Sequence, residues 1–217
     1  MAGFWIQIVG AKKTGKTSLA EDITRELVRR GRRVCYIKHT HEDGPTLDGE
    51  DTDTARARRA GASAAVLAGA GSTVVFRAPG GESLERVALR DSLPGEIVLA
   101  EGFKGSPGSK IVVTGGGLDV ASLDGVIGVV GERPDGFDGP AFRADETGRL
   151  CDLIEATAAA AQGGDRWMTS LTVDGREVPL NAFVQDILAS GVLGMSSALQ
   201  NVEGGDAIEL RCRRRRS

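Results

Sequence analysis

An α/β fold is predicted, with a mostly parallel sheet, helices on both faces and a small C-terminal α+β unit. Three observations predict it. Short apolar runs alternate with helical patterns along the first 160 or so residues. Most of those runs are apolar throughout, as in strands buried on both faces. Near the start, Gly10-Ala11-Lys12-Lys13-Thr14-Gly15-Lys16-Thr17 stands between one such run and a helical pattern, and reads as a phosphate-binding loop, G-x-x-x-x-G-K-[ST]. The sheet is therefore expected to be of the P-loop NTPase type.

Taken in order, Phe4 to Val9 is a mostly apolar strand, and Ser18 to Arg30 a helix with Leu19, Ile23 and Leu27 on one face. Gly31 stops that helix. Between them, glycines let the backbone curl so that its N–H groups meet phosphate oxygens, and the helix N-terminus adds donors and a positive dipole end. Lys16 is expected to reach the β- and γ-phosphates, Thr17 to bind Mg²⁺, and Ser18 to reach the α-phosphate.

Val34 to Ile37 is the second strand, followed by a polar loop over 40–53 at the strand end where open α/β sheets place ligands. Thr54 to Ala60 reads as a short arginine-rich helix. Ala64–Leu67 and Thr73–Phe76 are short strands across a glycine-rich turn, and Glu82 to Arg90 is helical. Ile97–Ala100, Ile111–Val113 and Val126–Val130 complete the strand set, and Glu146 to Ala161 is an alanine-rich helix. Residues 1–163 make the nucleotide-binding domain and 167–217 a C-terminal extension, with a boundary at Gln162-Gly163-Gly164-Asp165. In the extension, Asp174-Gly175 marks a hairpin, Asn181 to Leu199 a helix and Ala207 to Cys212 a strand, a ββαβ unit. Its size predicts packing on the main domain or on a second subunit.

The 217 residues carry 27 Lys and Arg against 30 Asp and Glu, a net charge of −3. Five arginines lie in the last seven residues, and without them the balance is 22 against 30. An acidic body argues against a nucleic-acid surface. Cys35, Cys151 and Cys212 show no C-x-x-C spacing, which predicts a reduced compartment and a cytoplasmic protein. The chain enters a core strand almost at once, so no signal peptide is expected, and no apolar run is of membrane-spanning length.

A phosphate-binding loop works with a carboxylate at the end of a neighbouring strand. Glu101, directly after Ile97–Ala100, is the candidate. Asp48, Asp51 and Asp53 leave two readings: one carboxylate serving a metal or a phosphate-sensing loop, or a solvated acidic loop. His39 and His41 lack the further ligands of a zinc site and are expected to contact ligand or anchor the loop.

Four segments in this order resemble the molybdopterin-guanine dinucleotide biosynthesis protein B family. They are Gly10 to Leu19; Ile37-Lys38-His39-Thr40-His41; Asp53-Thr54 with Arg56 and Ala60-Gly61-Ala62; and Glu101-Gly102-Phe103-Lys104 with Lys110-Ile111. The resemblance covers about residues 4–160. It implies a homodimeric GTP-binding protein with weak GTP hydrolysis, which helps a guanylyltransferase partner attach GMP to molybdopterin. It also implies that Gly10 through Ser18 bind phosphates, that Lys16, Asp53 and Glu101 serve catalysis, and that Thr17, Asp53 and Glu101 hold Mg²⁺. The chain departs from the family in carrying Asp51-Thr52 where Gly-Lys often precedes the matching aspartate, and it has no N-K-x-D guanine signature. The segment 167–217 looks like an extension found in some archaeal and bacterial relatives. Two other functions use the same loop: a small-molecule kinase, with Arg56, Arg58 and Arg59 as lid arginines, and a metallochaperone-type GTPase for another metal centre.

Overall fold

A computed structural model describes residues 4–40, 49, 52–77, 83–93, 95–161, 169–173, 176–199, 208 and 210. Two compact units make up the chain, Met1–His39 with Leu84–Ser217, and Thr40–Ser83.

The first unit is built on a parallel sheet. Its strands are β1 (Phe4–Gly10), β2 (Val34–Lys38), β5 (Ile97–Glu101), β6 (Ser109–Val113), β7 (Val126–Val130) and β8 (Ala141–Phe142). They lie in the order β2-β5-β1-β6-β7-β8, the mostly parallel α/β sheet that the alternation predicts. The two-residue β8 was not anticipated, being too short for a periodic signal.

Period-two alternation decides what each face meets. Phe4, Ile6 and Ile8 of β1, with Ile97 and Leu99 of β5, pack against Leu19, Ile23 and Leu27 of α1 (Lys16–Arg29) and Leu150 and Ile154 of α4 (Thr147–Ala161). On the opposite face, Ile37, Val98 and Ala100 cover Leu84 and Ala88 of α3 (Leu84–Asp91), while Val9, Val112 and Val129 meet Val120 of a short 3₁₀ turn. Helices thus cover both faces. Each fully buried Ile or Leu stabilises the fold by roughly 1.5–3 kcal/mol. At its C-terminal end α1 is tied to α4 through Arg30, which donates to Asp152 and Glu155, each at 2.7 Å, and to the Gly148 carbonyl at 2.8 Å.

Two polar residues break the apolar pattern. Gln7, in the middle of β1, and Lys110, its register partner on β6, are almost fully buried. Lys110 Nζ donates to the carbonyls of Ser106 at 2.8 Å and Asp124 at 2.9 Å, and Gln7 Nε2 donates to the Pro107 carbonyl at 2.8 Å. Both therefore hold the chain between β5 and β6. Burial pushes the Lys110 ammonium below its ordinary value, against the opposing pull of Asp124.

Helix α1 starts two residues earlier than its apolar stripe indicates, because Gly15 supplies its N-cap. In the second unit, α2 (Asp53–Arg59) is capped by the Thr52 hydroxyl, which accepts from Ala55 N at 3.2 Å. There β3 (Ala64–Ala68) and β4 (Thr73–Arg77) form an antiparallel hairpin, with the Arg58 guanidinium 4.5 Å from the Phe76 ring centre.

Toward the C-terminus, β9 (Leu171–Val173) and β10 (Arg176–Val178) pair antiparallel, and α5 (Ala182–Ser197) is capped by Asn181. No residue of α5 is buried, and Phe183, Ile187 and Met195 are exposed. The Asp174-Gly175 turn lies outside the described residues, as does most of the strand expected over 207–212. No described helix is long and apolar enough to cross a membrane.

Candidate functional site

The site forms where β1 ends beside β5. β1 delivers Gly10 to the carboxyl edge of the sheet, and the chain then turns through Ala11–Gly15 into α1. Backbone approach is close at Gly10, where a Cβ would stand 2.8 Å from the Val113 carbonyl oxygen. Gly15 takes φ 89°, a left-handed conformation that glycine adopts without strain. Within the turn, the Thr14 hydroxyl donates to the Ala11 carbonyl at 3.0 Å, and Lys16 Nζ donates to the same carbonyl. The helix that follows has neither a capping side chain nor an acidic residue in its first turn. Its first N–H groups and positive dipole end therefore face the loop, the arrangement that receives an anion.

Glu101, the last residue of β5, is 6% exposed. The Thr17 hydroxyl lies 3.1 Å from Oε1 and 3.0 Å from Oε2 of its carboxylate. Parallel pairing of β1 with β5 and of β2 with β5 carries three separated segments to this point. Lys38 is the direct register partner of Glu101, and Tyr36, two residues earlier, shares its face of β2. Tyr36 donates its hydroxyl to Oε2 at 2.6 Å, and Lys38 Nζ stands 3.5 Å from the same oxygen and 3.5 Å from the Thr17 hydroxyl. Burial raises the Glu101 pKa, but the Tyr36 and Thr17 hydroxyls and the Lys38 ammonium outweigh it, and the carboxyl lies below its ordinary value. Tyr36 moves the opposite way, pushed up by burial and by its bond to the carboxylate.

The loop residues Gly10 to Ser18 and Glu101 are thus brought to one edge of the sheet. His39 follows Lys38, with its ring centre 4.7 Å from that of Phe103 and its amide donating to the Glu101 carbonyl at 3.0 Å, so it anchors the segment after β5. Asp53 opens α2 in the second unit, fully exposed, 3.8 Å from Arg56. Asp48, Asp51 and His41 lie outside the described residues.

Sequence reasoning missed Tyr36 and Lys38. Their period-two spacing was visible, but nothing local says that β2 lies beside β5. It also missed the Thr114–Gly117 turn, whose Gly116 comes against Ala11 of the loop; three consecutive glycines after a buried strand were the available signal. Chemically, the Thr17 hydroxyl and Glu101 carboxylate offer two hard oxygens on one side of an anion-receiving loop. Among the described residues no group of three or more His, Cys, Asp or Glu forms a metal cage. Two protein oxygens suit a cation that completes its shell with water and phosphate oxygens.

The model of one protein family, described as molybdopterin guanine dinucleotide synthesis protein B, matches residues 5–130. A molybdopterin-guanine dinucleotide biosynthesis adapter protein of Haemophilus influenzae is 36% identical over 108 residues, covering 49% of this chain and 60% of that protein. A protein of Methanocaldococcus jannaschii named as a putative adapter of the same kind is 27% identical over 237 residues, covering 94% and 95%. Among solved structures, one of a molybdopterin-guanine biosynthesis protein B superposes with a TM-score of 0.58 at 26% identity, covering 71% of this chain and 99% of that one. The crystal structure of Bacillus subtilis MobB gives 0.57 at 27% identity, covering 70% and 96%.

Proposed function

Because the chain belongs to the molybdopterin guanine dinucleotide synthesis protein B (MobB) family, we propose that it is a GTP-binding adapter in the biosynthesis of molybdopterin guanine dinucleotide. In this reading it is a homodimer of the cytoplasm. It supports a guanylyltransferase that joins GMP to molybdopterin, and it hydrolyses GTP weakly.

The observation that carries the reading is the joining of the loop to Glu101: the Thr17 hydroxyl stands within 3.1 Å of both carboxylate oxygens. Backbone N–H groups of the loop and of the start of α1 receive the β- and γ-phosphates. Lys16 releases the Ala11 carbonyl and turns its ammonium to those phosphates. Ser18 reaches the α-phosphate. Thr17 and Glu101 hold Mg²⁺, which neutralises charge on the phosphate oxygens when bound. Glu101, held ionised by its neighbours, also orients the attacking water. With Glu101 buried and the loop already curled, the site is pre-organised for binding, and the charged neighbour of the Thr17–Glu101 pair is the Lys38 ammonium, which accepts no proton. That fits an adapter better than a fast hydrolase.

Titration of the pure protein with GTP and with ATP, each with Mg²⁺, tests the proposal. GTP is expected to bind more tightly, with turnover far below that of kinases, and adding a guanylyltransferase with molybdopterin should raise dinucleotide formation. Equal or better binding of ATP removes the guanine assignment.

A further inference from the structure

Lys38 lies 3.5 Å from both the Thr17 hydroxyl and Glu101 Oε2, the two oxygen groups that suit a hard cation. Its ammonium thus neutralises a carboxylate that is nearly withdrawn from water. The lysine side chain is itself 51% exposed, so it can leave without disturbing the core. Tyr36 is different: its hydroxyl, 2.6 Å from Oε2, is a short bond from the neighbouring position on the same strand face, and it keeps the carboxylate oriented whether or not Lys38 is present.

We infer that Lys38 is a resident counter-ion of the Thr17–Glu101 pair that competes with a divalent cation for it, while Tyr36 is a positioning residue for Glu101. The inference rests on the phosphate-loop reading above. It adds a control the loop motif does not contain: a divalent cation is admitted only as Lys38 withdraws, because the two charges repel strongly at such separations. Lys38 swings outward along the exposed edge of β2, and Glu101 passes from one cation to the other without becoming an unpaired buried charge.

Mn²⁺ binding to the nucleotide-free protein, followed by loss of the free-ion electron paramagnetic resonance signal, provides the test. Lys38→Met should bind Mn²⁺ about tenfold more tightly than the wild type, and adding Glu101→Gln should cancel the gain. In parallel, the Mg²⁺ concentration that half-saturates GTP affinity should fall by a similar factor in Lys38→Met. Tyr36→Phe should weaken Mn²⁺ binding in both the wild-type and Lys38→Met backgrounds. Equal Mn²⁺ affinity in wild type and Lys38→Met overturns the inference. So does a loss of GTP affinity in Lys38→Met that is the same with and without Mg²⁺, which would make Lys38 a phosphate contact. Failure of the wild type to bind GTP would count against the nucleotide reading instead, and the Mn²⁺ comparison would still decide the role of Lys38.

Discussion

Single residues account for the chemistry at the end of β1. Lys16→Ala removes a charge-assisted contact to phosphate, and GTP affinity should fall by about 2–3 kcal/mol, roughly 30- to 160-fold, in calorimetry of the folded variant. Normal affinity would place the lysine elsewhere. For Glu101, the folded state holds the carboxyl below its ordinary value. The folded state therefore binds a proton less readily than the unfolded chain. The resulting stabilisation is fully present above the unfolded value of about 4.3 and is lost as pH falls through the lower, folded value. Urea unfolding of wild type and Glu101→Gln from pH 6 downward should show the wild-type advantage shrinking only below about pH 4.3; a constant difference would deny the carboxylate this role. At this scale the loop was legible, since glycine spacing, lysine and threonine are all local. Glu101 was legible as the first polar residue after four buried ones. The Tyr36 and Lys38 partners were not, because a strand's own pattern gives the face of a side chain and not its neighbour on the next strand.

Among the elements, the segment between β5 and β6 depends on two buried polar side chains, Gln7 inside a run expected to be mostly apolar and Lys110 just ahead of the strand expected over 111–113. Lys110 is 2% exposed and surrounded by main-chain carbonyls. Lys110→Met should leave those carbonyls without a donor and lower stability by about 2–4 kcal/mol, with faster amide exchange over 103–108 than in α1. A uniform change in exchange would contradict a local role. The helices and long strands were foreseen within a few residues, because 3.6- and 2-residue periods are strong over those lengths. The exceptions are instructive. β8 has two residues and no period, and α1 begins at Lys16 because a left-handed glycine ends the loop there.

For the molecule as a whole, the family match ends at residue 130 while the chain continues to 217. We propose that 167–217 is a separate extension, as its change of pattern indicates. Ending the chain at Gly163 should leave GTP affinity unchanged within about a factor of two, since no residue of α5 is buried. A larger loss would make the extension part of the nucleotide site.

The amino-acid order was enough by itself for the phosphate loop, the α/β class and the apolar faces, because each depends on spacings of a few residues within one element. The placing of β5 between β1 and β2, and with it the meeting of Thr17, Tyr36, Lys38 and Glu101, was decided by the tertiary structure. So was the burial of Gln7 and Lys110. Backbone ladders between parallel strands join segments tens of residues apart through crossovers, and no periodicity within one strand records which other strand it will pair with.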